Sequence, residues 1–114
     1  MENKRTVGSR YEEEAAAFLQ KQGFQILEKN YRDRYGEIDI IAKENGYLVF
    51  VEVKYRSSLR RGYPEEAVDG RKQARIRHAA RYYLYQNRLG EDVPCRFDVV
   101  SIVGEDVRLI RDAF

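Results

Sequence analysis

Along the chain, helical spacing comes first: Tyr11, Ala15, Phe18, Leu19 and Gln22 fall on one side of SRYEEEAAAFLQKQG, and Gly23 follows as a stop. FQILEKNYR then alternates as a strand does. GEIDIIAKENGYLVFVEVKYR reads as two β-branched strands around Asn45-Gly46, a pair whose tolerance of positive φ favours a tight hairpin. The polar, basic stretch RSSLRRGYPEEAVDG predicts a loop with a short helical turn over residues 64–68. A longer helix is expected from about Arg71 to Arg88, with Ile76, Ala79, Ala80, Tyr83 and Leu84 buried and Asp69 near its start. CRFDVVSIV and DVRLI predict two further strands around Gly104. Helix, three strands, helix and two strands make an α/β domain, a mixed β-sheet flanked by helices.

The hairpin carries acids where valines would be expected. With Asn45-Gly46 as the turn, Asp39 falls opposite Glu52 and Glu37 opposite Lys54, and opposed residues share a face. These four side chains then converge beside Ile41 and Phe50, leaving Ile38, Ile40, Val51 and Val53 to form an apolar face. The other parity would bury Asp39 among valines. Opposed carboxylates with Cβ atoms about 4.5–5.5 Å apart repel unless something neutralises them.

Two readings of that cluster follow. In one, Glu37 and Lys54 form a cross-strand ion pair on a solvated face, and Asp39 and Glu52 are simply wet. In the other, Asp39 opposite the Glu of a Glu-x-Lys triplet supplies oxygen ligands suited to Mg²⁺ or Mn²⁺, with a lysine beside the attacking water, as phosphodiester hydrolysis requires.

Composition narrows the setting. The 114 residues, 43% hydrophobic and 35% charged, suffice for one domain spanning 1–114 and argue against disorder. A net charge of +2 and a pI near 8.7 hint only mildly at an anionic partner. MENKRTVGSRYEEE lacks the apolar stretch of a signal peptide, no window is long enough to span a membrane, and the lone Cys95 fits a reducing compartment, so a cytoplasmic location is expected. One His and one Cys exclude a typical structural zinc site.

The order and spacing of GEIDIIA, VFVEVKYR, EEAVDGRKQAR and RFDVV resemble the YraN-like family of small bacterial proteins. That family is similar to archaeal Holliday-junction resolvases within the PD-(D/E)xK nuclease superfamily. The resemblance covers Gly8 to about Val103 and implies a restriction-endonuclease-like fold, a Mg²⁺- or Mn²⁺-dependent endonuclease acting on DNA, branched or structured, and a catalytic set of Glu12, Asp39, Glu52 and Lys54. Asp39, Glu52 and Glu12 would ligate the metal. Ile38 stands where the superfamily motif has proline, and Tyr11 where the family usually has glycine, a bulk that would narrow the site. Resolvases cut two strands symmetrically, which suggests a homodimer, although no interface is evident in the sequence.

Glu12 lies nearer the apolar stripe of its helix than Glu13 or Glu14, but Ser9-x-x-Glu12 also fits a capping box. A basic cluster follows the hairpin: Arg56, Arg60 and Arg61, then Arg71, Lys72 and Arg75, with Arg77, Arg81 and Arg88 beyond. It suits phosphate contacts, and equally a solvated helix face. Lys72 matches a basic position of the family and is the first candidate for a substrate contact. Tyr82, Tyr83 and Tyr85 offer rings for base stacking but at this spacing read as core and rim packing, His78 is assigned no chemistry, and Asp98 reads as structural rather than as a support to the site. A non-catalytic nucleic-acid-binding module on the same fold is the alternative function.

Overall fold

The computed structural model describes residues 4–56, 68–90 and 92–114. Helix α1 spans Lys4–Lys21 and buries Ala15, Ala16 and Leu19. It ends where Gly23, at φ +98, lets the chain reverse: Gly23 N–H donates to the Gln20 carbonyl and Phe24 N–H to that of Leu19. Two expectations are corrected here. The helix begins five residues before Ser9, so Ser9 is interior to it and caps nothing, and Gln22 is exposed rather than part of the buried stripe.

Strands β1 (Gln25–Asp33), β2 (Gly36–Glu44) and β3 (Tyr47–Arg56) form an antiparallel meander. Asn45 and Gly46, both at positive φ, make the predicted tight turn. Helix α2 (Gly70–Gln86) then crosses to β4 (Cys95–Val103), which pairs parallel to β3, and β5 (Asp106–Ile110) returns antiparallel. Asp69 caps α2 by accepting from Lys72 N–H at 2.9 Å, and Asn87 closes it, so Arg88 falls just beyond the helix. The predicted turn over 64–68 lies, but for Val68, outside the described residues.

The sheet order is β1-β2-β3-β4-β5, an α/β arrangement compatible with the restriction-endonuclease-like fold. Each face packs one helix. Ala15, Ala16 and Leu19 of α1 meet Ile40, Ala42, Val49, Val51, Val53, Val100 and Ile102; Ile76, Ala79, Ala80 and Tyr83 of α2 meet Tyr31, Ile38, Ile41, Leu48 and Phe50. Ile38 was expected beside Ile40, yet it packs on the α2 side with Ile41. Alternation is broken at Asp39, where the β1 partner Asn30 sits at φ 57 and is skipped by the ladder. No helix among the described residues is long and apolar enough to cross a membrane.

Candidate functional site: an acidic cleft where two strands part

The β2–β3 ladder runs from Glu44↔Tyr47 to Ile40↔Val51 and stops. Beyond it β2 stays with β1 as far as Asp33↔Gly36, while β3 stays with β4 as far as Arg56↔Val103. Asp39/Glu52 and Glu37/Lys54 are therefore not ladder partners, which corrects the simple register. Continuing the hydrogen-bonded alternation would send Val53 N–H to the Ile38 carbonyl. Asp39 Oδ2 takes it instead, at 2.8 Å. The side chain substitutes for a strand, and the gap opens into a cleft of about 770 Å³ lined by Glu12, Asp39, Glu52, Lys54 and Lys72 among others.

The arrangement is electrostatically tense. Burial pushes the Asp39 carboxyl up to about 8, helped by the charge of Glu52 and by the charge and hydrogen bond of Glu12, with the Val53 amide opposing. Glu52, 6% exposed, is neutralised by lysines from two elements: Lys72 Nζ lies 2.7 Å and Lys54 Nζ 3.4 Å from the same Oε1. Burial, then the neighbouring Lys72, lowers the Lys54 pKa. Burial also works against the Lys72 ammonium, but the bonds to Glu52 and Lys54 outweigh it and its pKa is raised.

Glu12, Asp39, Glu52 and Lys54 thus come together from α1, β2 and β3. Among the described residues no group of three or more His, Cys, Asp or Glu side chains is arranged so as to hold a metal ion. The three carboxylates face the cleft with Lys72 holding one of them. The cross-strand reading paired Glu37 with Lys54, but the Glu37 side chain is 58% exposed and pairs with Arg32 at 3.2 Å. Lys72, the first candidate for a substrate contact, lines the cleft and is bonded to Glu52. Tyr11 stacks on Tyr55, ring centroids 4.1 Å apart, at the cleft margin.

The basic candidates divide. Arg56 ends β3; Arg71 and Arg75 are exposed on α2 and line a shallow depression that shares Lys72 and Glu37 with the cleft. Arg60 and Arg61 lie outside the described residues. Asp98 is fully buried and structural, as expected: Arg96 grips both its oxygens at 2.9 and 2.8 Å, and Arg96 and Arg111 also hold Glu44. What the sequence reading missed is His78, which stacks on Tyr35 with centroids 3.9 Å apart. The helical i, i+4 spacing of His78 and Tyr82 was the available signal, but their partner comes from the distant β1–β2 turn.

A family model described as "Uncharacterised protein family UPF0102" matches residues 11–102. A UPF0102 protein of Lachnoclostridium phytofermentans is 59% identical over 98% of this chain and 95% of its own length. Those of Acetivibrio thermocellus and Desulforapulum autotrophicum are 49% and 50% identical, over 98% and 100% of this chain and 93% and 98% of their own lengths.

Proposed function

The chain belongs to the UPF0102 family, and from its acidic cleft we propose that it is a divalent-metal-dependent endonuclease hydrolysing DNA phosphodiester bonds, with branched or structured DNA as substrate. One observation carries the reading: where β2 and β3 part, three carboxylates and two lysines from four elements surround one open space.

The donor chemistry fits the metal. Glu12, Asp39 and Glu52 offer only hard oxygens, and burial together with the charges of Glu52 and Glu12 raises the Asp39 pKa, a carboxyl whose ionised form a cation would favour. A bound Mg²⁺ or Mn²⁺ would supply Lewis-acid polarisation of the phosphoryl oxygen and a water of lowered pKa. Glu12, Asp39 and Glu52 are its ligands in this reading. The Val53 amide fixes Asp39, and Asp39 must shed its proton to the solvent or to a neighbour before ligating. Lys54, anchored on Glu52, places its ammonium toward the attacking water and the phosphoryl oxygens, where negative charge develops. Arg71 and Arg75 contact the phosphates on either side. Two copies cutting opposed strands would suit a junction substrate.

The test is a cleavage assay on single-stranded, duplex, flap and four-way-junction DNA with Mg²⁺, Mn²⁺ or EDTA. Metal-dependent cutting is expected, abolished by Glu52→Ala and by Lys54→Ala; full cutting by both variants would refute the assignment. One observation favours a second reading, a binding module without turnover: Lys72 already occupies the acid a metal needs. That module would bind DNA equally well in EDTA and be indifferent to Lys54→Ala.

A further inference from the structure

Outside the cleft, one flank of α2 carries a stripe that packing does not explain. Arg71, Arg75, His78, Tyr82 and Tyr85 follow at intervals of four, three, four and three, so they lie one above another. All are exposed but Tyr82, which is half-buried, and Tyr85 is 77% exposed. The core-facing residues Ile76, Ala79, Ala80 and Tyr83 lie on a different side.

The β1–β2 turn adds to this stripe. A Cβ placed on Gly36 would stand 3.6 Å from Arg75 Cβ, ordinary van der Waals contact, so the turn lies directly against the helix. Tyr35 then stacks on His78 at 3.9 Å and 19°, the Arg34 guanidinium sits over the Tyr35 ring at 5.2 Å, and Tyr82 meets Tyr35 edge-on. Tyr82 and Tyr85 continue the run with rings 30° apart. Along roughly 20 Å of helix the guanidinium groups thus come first, at the depression that shares Glu37 and Lys72 with the acidic cleft, and flat π-surfaces follow.

We propose that this strip binds single-stranded DNA, its rings stacking unpaired bases while Arg34, Arg71 and Arg75 track the backbone, and that it leads an unpaired strand into the cleft. The inference deepens the nuclease reading and rests on it for the direction of the strand. Rings offered to a duplex would find their partners already stacked, whereas an unpaired base has a free face, and stacking on it is tolerant of sequence. Charge alone would not discriminate between the two.

The experiment measures anisotropy of labelled oligothymidylate and of a duplex of similar length, in EDTA, with the full chain and with His78→Ala/Tyr85→Ala, Tyr35→Leu and Arg75→Ala. Both truncated side chains of the double variant are exposed, and Tyr35→Leu keeps the apolar contact with α2; equal melting temperatures confirm that the variants are folded. Expected is at least tenfold weaker single-strand binding for the two ring variants with duplex binding changed less than twofold, while Arg75→Ala weakens both alike and flattens the salt dependence. Unchanged single-strand binding, or equal losses on both DNAs, overturns the proposal. Metal-dependent cleavage measured on the same samples keeps the two readings apart: selective loss without any cleavage sinks the nuclease and leaves the strip standing. Cleavage without selective loss does the reverse.

Discussion

Lys72 of α2 holds Glu52 of β3 at 2.7 Å, across the space where a metal would bind. In the metal-dependent reading the ammonium and the cation would compete for one carboxylate. Lys72→Met should therefore tighten Mn²⁺ binding by roughly tenfold, about the value of one charge-assisted hydrogen bond, while weakening DNA binding in EDTA. Calorimetric titration reads the first effect; unchanged cation affinity would show that the metal does not need Glu52.

Asp39 makes stability depend on pH. Its folded pKa of about 8 lies above the unfolded value, so the native state holds the proton more tightly. Stability is accordingly greatest below the unfolded pKa of about 4 and falls as pH rises toward about 8. In EDTA the urea midpoint should decline between these limits, by on the order of 2 kcal/mol because Glu12 and Glu52 share the effect. Asp39→Asn should flatten the profile, and so should saturating Mn²⁺. A wild-type profile that is flat in EDTA would contradict the crowding of these acids.

Glu12 and Glu37 differ in where they stand: Glu12 lines the cleft beside Asp39, and Glu37 is turned out to Arg32. Glu12→Gln should lower turnover by about 10–100-fold, the usual cost of disturbing a metal-site carboxylate, whereas Glu37→Gln, exposed and paired with Arg32, should leave turnover within twofold. Single-turnover cleavage at saturating metal distinguishes them, and equal effects would contradict the placement.

The Arg96 cluster predicts a purely structural lesion. Arg96→Met leaves Asp98, fully buried, without its guanidinium, and should cost about 3–5 kcal/mol in urea denaturation. Arg111 and Arg96 hold the Glu44 pKa down to about 2. That contribution is complete above the ordinary glutamate pKa and is lost as pH falls toward 2. Glu44→Gln should therefore unfold at higher pH than the wild type, followed by circular dichroism.

Local patterning made most of the fold legible. Asn45-Gly46 specifies its own turn, and Ile76, Ala79, Ala80 and Tyr83 specify a buried side of α2, because both are decided within a few residues. The parting of the strands was not legible: an ideal ladder extrapolated from the turn runs past Ile40, and only the separate loyalties of β2 to β1 and β3 to β4 end it. Lys72 on Glu52 and His78 on Tyr35 were hidden for the same reason, since α2 reaches both only after the sheet is built. The site acids themselves were readable because charges inside β-branched strands conflict with local propensity.

The Asp39 carboxylate standing in for a backbone carbonyl has a practical consequence for genetics. Asp39→Ala would strand the Val53 amide as well as remove an acid, so a null phenotype from that allele would confound lost chemistry with a loosened sheet. In the nuclease reading Glu52→Gln, which keeps side-chain volume and a carbonyl facing both lysines, would be the cleaner allele for complementation or for trapping DNA on the intact protein.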